Sequence, residues 1–118
     1  DKDYENENVL GLAYGTTSMA IFEKTITEYS GGISEPPRYK LEATVMNHEA
    51  GHTIGLVNNG TDMVNDHQDD AHGKHCNVEN CLMYYTTRTT DVVDNLFNSN
   101  IPSLDSQCQE DLANNGGK

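Results

Sequence analysis

Val45-Met46-Asn47-His48-Glu49-Ala50-Gly51-His52-Thr53-Ile54-Gly55-Leu56 is the stretch on which the reading of this chain turns. It spells His-Glu-x-x-His followed by x-x-Gly. On a helix, His48 and His52 stand one turn apart, so both imidazoles leave from one face. Two such nitrogens can grip a single Zn²⁺ and leave other coordination positions open. Glu49 points into the same hemisphere, placed to take a proton from a water activated by the metal. Gly55 can adopt the left-handed conformation that ends a helix. The turn would carry the chain back beneath the metal, where a third ligand is needed. Ordinary histidines on a half-exposed helix face are the alternative. Against it, all five histidines of the chain fall between positions 48 and 75.

Outward from this stretch, apolar spacing at Leu41 and Val45 predicts a helix over 38–54, entered from the stiff pair Pro36-Pro37 and packed on a sheet. Upstream, the apolar run 9–14 reads as a buried strand, Gly15-Thr16-Thr17 as a turn, and 18–26 as a second, neighbouring strand. If that strand is an edge, a substrate peptide could add to it. Residues 1–8 are polar and acidic and read as a loop. Downstream, 56–74 shows no period and opens with the turn signal Asn58-Asn59-Gly60-Thr61. A loop of that length is functional or disordered, and the histidines His67, His72 and His75 point to function. A compact apolar segment follows over 81–85. Thr90 or Asp91 is placed to cap a helix through Val92, Val93, Leu96 and Phe97, and Ser103 a last helix through Leu104, Cys108 and Leu112. Residues 114–118 form a polar tail.

The length of 118 residues holds one small domain, 1–118, and not two. A net charge of −12 sets aside nucleic acid, whose phosphates need a basic face. No apolar run approaches the ~20 residues of a membrane-spanning helix. The chain opens on Asp1-Lys2-Asp3-Tyr4 without an initiator Met, as a fragment or processed form would. Cys76, Cys81 and Cys108 are odd in number, so a disulfide between two would leave one over.

The sequence resembles the metzincin metallopeptidases, most closely the archaemetzincin branch. That family's pattern is His-Glu-x-x-His-x-x-Gly-x-x-His-Cys, four residues, Cys-x-Met, and a later Cys-x-x-Cys. His48 to Gly55 matches the first part. His75-Cys76-Asn77-Val78-Glu79-Asn80-Cys81-Leu82-Met83 matches the second with its internal spacing kept, and the resemblance covers roughly 9–112. It implies an α/β (α+β) metzincin-like fold: a short mixed sheet, an active-site helix, a Met-turn and C-terminal helices. Such a fold has further strands and a helix upstream, so this chain is expected to be the C-terminal part of a longer catalytic domain.

The chain departs from the pattern in two places. The third ligand should follow Gly55 by three residues, where Asn58 stands. The second block is displaced by the insertion 56–74, and the carry-over makes His75 the third ligand, with His67 and His72 as competitors. In place of the later Cys-x-x-Cys stands Cys108-Gln109-Glu110-Asp111. In the family the four cysteines resemble a structural zinc site. Here Cys76, Cys81 and Cys108 with Asp111 or a spare histidine could hold a second zinc, or Cys76 and Cys81 could form a disulfide. Met83 corresponds to the Met-turn floor under the metal, and Tyr85 is placed like the tyrosine that stabilises the oxyanion in some branches.

The resemblance implies a zinc-dependent peptidase acting on a peptide or protein substrate, with Glu49 as general base and Tyr85 at the oxyanion. The acidic run Asp62 to Asp70 would then favour substrates bearing Lys or Arg. The competing expectation is a catalytically silent, metal-stabilised binding module. A protease of acidic, Asn-rich composition is expected to be exported.

Overall fold

The computed structural model describes residues 9–33, 35–85 and 100–116. The expected loop at 1–8 and helix at 90–97 lie outside the described residues. The fold is mixed α/β: a two-stranded antiparallel sheet with helices. β1 (Gly11–Tyr14) pairs with β2 (Ser18–Ile21) in a hairpin, Gly11 opposite Ile21 and Tyr14 opposite Ser18. The sheet of the described residues is therefore purely antiparallel where a mixed one was expected.

The second strand is shorter than the run 18–26 predicts. Glu23–Glu28 forms a short helix, α1. Phe22 N–H closes onto Leu10 C=O at 2.9 Å, and the chain then turns out of the sheet. From α1, Ile26 reaches full burial against Leu41 and Val45, which a continued strand with no third partner would not provide.

The main helix, α2 (Arg38–Thr53), matches the expected span to within a residue. Pro37 precedes it in an extended conformation, and its carbonyl accepts from Lys40 N–H at 3.0 Å. Arg38 ties the first turn to Glu42 and to Glu23 of α1. Leu41 and Val45 join Ile26, with Leu10, Ile21 and Tyr29 around them, in one small core. The far end of α2 meets a second core, in which Leu56, Val57, Met83, Cys76, Cys81 and Cys108 pack together. There, a Cβ on Gly51 would collide with Met83 Sδ, so only glycine lets the helix come this close.

α2 stops where the motif says it should. Gly55 takes φ +92°, its N–H bonds His52 C=O at 3.1 Å, and Leu56 N–H bonds Gly51 C=O at 3.0 Å. These two bonds form a Schellman ending that satisfies the last free carbonyls. Asn59 Nδ2 also donates to His52 C=O at 2.7 Å.

Beyond this turn the chain is irregular but closely tied. Cys76 lies at the centre of the segment, bridged to Gln68 on one side and to Tyr84 on the other. Asp69 N–H bonds His75 C=O, Asn77 N–H bonds His67 C=O and Cys76 N–H bonds Met83 C=O, each at 2.8 Å. The last helix, α3 (Ser106–Asn114), is capped by Asp105, whose carboxylate accepts Cys108 N–H at 2.9 Å. The cap is thus two residues later than the expected Ser103. No helix of the described residues is long and apolar enough to cross a membrane.

Candidate metal centres

Two groups of metal-ligating side chains converge among the described residues. The first is His48, His52 and His75, one ligand nitrogen from each lying within 4.8 Å of the others. α2 supplies His48 and His52 from one face, with their Nε2 atoms 3.2 Å apart. Tetrahedral zinc with bonds of ~2.0–2.1 Å needs ligand nitrogens about 3.4 Å apart, so the pair fits. His75 closes the group from the irregular segment, its ring 4.8 Å from that of His52 and 5.3 Å from that of His48.

Two of the three rings are oriented through their other nitrogen. His48 Nδ1 donates to Leu82 C=O at 2.7 Å and His75 Nδ1 to Gly73 C=O at 3.1 Å. In the neutral ring this leaves the Nε2 lone pair for a metal. Burial holds these histidines neutral. It pulls His48 down to about 4, partly offset by the Leu82 carbonyl, and His52 down to about 3, with the neighbouring imidazoles adding to the effect. His75 is lowered by burial as well. Neutral imidazole is the form a metal requires.

Glu49 follows His48 on α2 and is buried against β1. A Cβ on Gly11 would stand 3.0 Å from Glu49 Cγ, so the strand passes directly over the carboxylate's stem. Burial raises the Glu49 carboxyl to about 7. Met83 is fully buried beneath α2 at Gly51. Tyr85 lies edge-on to His75, ring centroids 5.0 Å apart, and stacks on His72 at 3.9 Å.

The competitors for the third ligand lie elsewhere. Asn58 is exposed, at φ +59°. His72 sits outside the first group, with Nδ1 2.9 Å from Asp69 Oδ2 and its ring on Tyr85. His67 is fully buried and belongs to the second group, with Cys76, Cys108 and Asp105, whose ligand atoms all lie within 4.8 Å of one another. His67 Nδ1 is 3.4 Å from Cys76 Sγ. Cys81 Sγ borders this group, 3.6 Å from Cys108 Sγ and 3.6 Å from Asp105 Oδ1.

All three cysteines are free thiols. Thiolates bound to zinc at ~2.3 Å stand about 3.8 Å apart, close to the Cys81–Cys108 separation. Backbone N–H groups already point at sulfur, from Val78 to Cys76 and from Met83 to Cys81, each at 3.4 Å. Hydrogen bonding from the Cys108 thiol pulls Cys81 down to about 6, while burial pushes Cys76 up to about 12. Asp111 is not one of the clustered donors. Its Oδ2 takes a bond from His67 Nε2 and its Oδ1 one from Val64 N–H, both at 2.7 Å.

Nothing local in the sequence assigns His67 to the cysteines. Its partner Asp111 is 44 positions away, and only the fold brings the two together. Asp105, which caps α3 and faces two thiols, also carried no motif signal. No protein-family model matches this chain, and no solved structure matches it.

Proposed function

We propose that this chain is a zinc-dependent peptidase of metzincin-like build. The observation that carries the reading is the convergence of His48, His52 and His75, with Glu49 buried next to His48 on α2. Three neutral imidazoles with no fourth protein donor in the group among the described residues match a catalytic zinc site, which keeps a position open. The floor at Met83 and the displaced His-Cys block fit the archaemetzincin resemblance. When bound, zinc supplies a Lewis acid that polarises a peptide carbonyl and acidifies a water.

The remaining work falls to the chain. Glu49 accepts the proton of the attacking water and returns it to the leaving amine. Its apolar surroundings raise its basicity for the first step and leave it an acid strong enough for the second. The Leu82 and Gly73 carbonyls hold His48 and His75 in the tautomer that faces the metal. Tyr85, fixed by its stack on His72, donates its hydroxyl to the oxyanion. The cysteine group serves as a second, structural zinc centre.

The test is Glu49→Gln assayed with a mixed peptide library and by elemental analysis. Metal content should match that of the parent chain while cleavage falls by about 10²–10⁴-fold. Cleavage at the parent rate would remove Glu49 from the mechanism. A parent chain that holds zinc and cleaves nothing would leave the silent binding module as the answer.

A further inference from the structure

Three thiols, an imidazole and two carboxylates meet inside the second core. An apolar filling of the same volume would cost less than desolvating these groups, so their presence points to a ligand. We infer that His67 is a metal donor of the cysteine centre, that Asp111 is the positioning residue that lets it donate, and that filling this centre sets the His48–His52–His75 centre for its own ion. The last step rests on the reading of both groups as metal centres.

The first step follows from hydrogen-bond roles. An ionised carboxylate only accepts, so the 2.7 Å contact places the proton of His67 on Nε2. The lone pair of the neutral ring is then on Nδ1, the atom that faces Cys76 Sγ. Asp111 cannot turn away, because Val64 N–H holds its other oxygen. Thiolate sulfur outranks carboxylate oxygen for zinc. Cys81 is therefore the fourth donor with His67, Cys76 and Cys108, and Asp105 remains the cap of α3.

The second step follows from the backbone. His75 is joined by a peptide bond to Cys76. Leu82, whose carbonyl orients His48, stands between Cys81 and Met83, and its own N–H is held by Ser103 C=O at 2.9 Å. The Cys76 N–H bond to Met83 C=O ties positions 75 and 82 into one unit. His75 thus takes its place, and His48 its ring orientation, from residues next to cysteine donors. The backbones of His48 and His52 are placed by α2.

The experiment uses the full chain with Co²⁺ as probe. Sulfur-to-cobalt charge-transfer absorption reports the cysteine centre, and metal per chain under chelator competition reports both. The variant is Asp111→Asn. Its amide oxygen can keep Val64 N–H, but its NH₂ then faces His67 Nε2 and moves the ring proton to Nδ1, where it blocks donation. We expect affinity at the cysteine centre to fall about 10–100-fold, with the histidine centre weakening beside it although Asp111 touches none of its ligands. His75→Ala should show the reverse asymmetry, losing the histidine-held ion while the sulfur absorption stays. The double variant His67→Cys/Asp111→Asn should recover both centres, since a fourth thiolate needs no orienting carboxylate.

Unchanged sulfur absorption and affinity in Asp111→Asn would overturn the role of His67. A weakened cysteine centre beside an unaltered histidine centre would overturn the coupling. Failure of the double variant to recover metal would reduce Asp111 to a packing role and overturn its assignment. Each readout is metal occupancy, so a chain that shows this asymmetry and cleaves no peptide keeps the inference and loses the peptidase reading.

Discussion

His48 and His52 carry a consequence for stability that has a definite sign. In the metal-free chain their folded pKa values, about 4 and about 3, lie below the ordinary value of 6.5. Between these values the unfolded chain binds more protons than the folded one, so stability is lost as pH falls from 6.5 toward 3. Glu49 acts in the opposite sense. Its folded pKa of about 7 exceeds the ordinary 4.5, so its contribution is full below 4.5 and is lost as pH rises through 7. Two imidazoles, joined by His75, outweigh one carboxyl. The melting temperature of metal-stripped protein should therefore fall on acidification from pH 6.5 to 4, as thermal unfolding followed by circular dichroism would show. A His48→Gln/His52→Gln double variant should flatten that dependence. An equally steep fall in the double variant would place the acid sensitivity elsewhere.

The register of α2 against the irregular segment depends on Gly51. In Gly51→Ala the added methyl meets the sulfur of a fully buried methionine. Alanine in a helix interior gains at most about 1 kcal/mol over glycine. Overpacking a filled core costs about 1–3 kcal/mol. Packing wins, and chemical denaturation should show a net loss of up to about 2 kcal/mol. Much of this arrangement was readable beforehand. The Pro-Pro entry, the apolar spacing and the Gly55 ending bounded α2 because each acts within one or two turns. The motif likewise gave His48, Glu49 and His52 as neighbours on one helix. Glu23–Glu28 escaped because polar and apolar residues there fit a strand as well as a helix. What decides is Leu41, a partner from a distant part of the chain. Ser103 lost the cap to Asp105 because the Asp105 carboxylate reaches both Cys108 N–H and the cysteine sulfurs. His67 was readable as a ligand type but not as a partner of the cysteines, since its placement depends on contacts across most of the fold.

With a net charge of −12, the molecule presents a negative field to any approaching peptide. Asp62, Asp66 and Asp70 are exposed on the segment that leads to His75. On the proposed peptidase function, peptides bearing Lys or Arg should be cleaved with higher kcat/KM than neutral ones. The advantage should shrink as salt rises, since screening acts over about 8 Å at physiological ionic strength. A salt-independent ratio of the two kcat/KM values would show that the charge is spent on solubility alone.

His75 reaches its place through backbone pairing with Asp69, and its neighbour Cys76 through pairing with Met83; neither depends on a fixed count of residues after Gly55. The interval between His52 and His75 is therefore a free variable of this architecture, bounded only by the need for residues 67–69 to arrive beside 75–77. The interval from His75 to Met83 is not free, because one inserted residue would break the bridge and swing Leu82 C=O off His48. Natural length variation in chains of this kind should gather in 60–66 and be absent from 75–83.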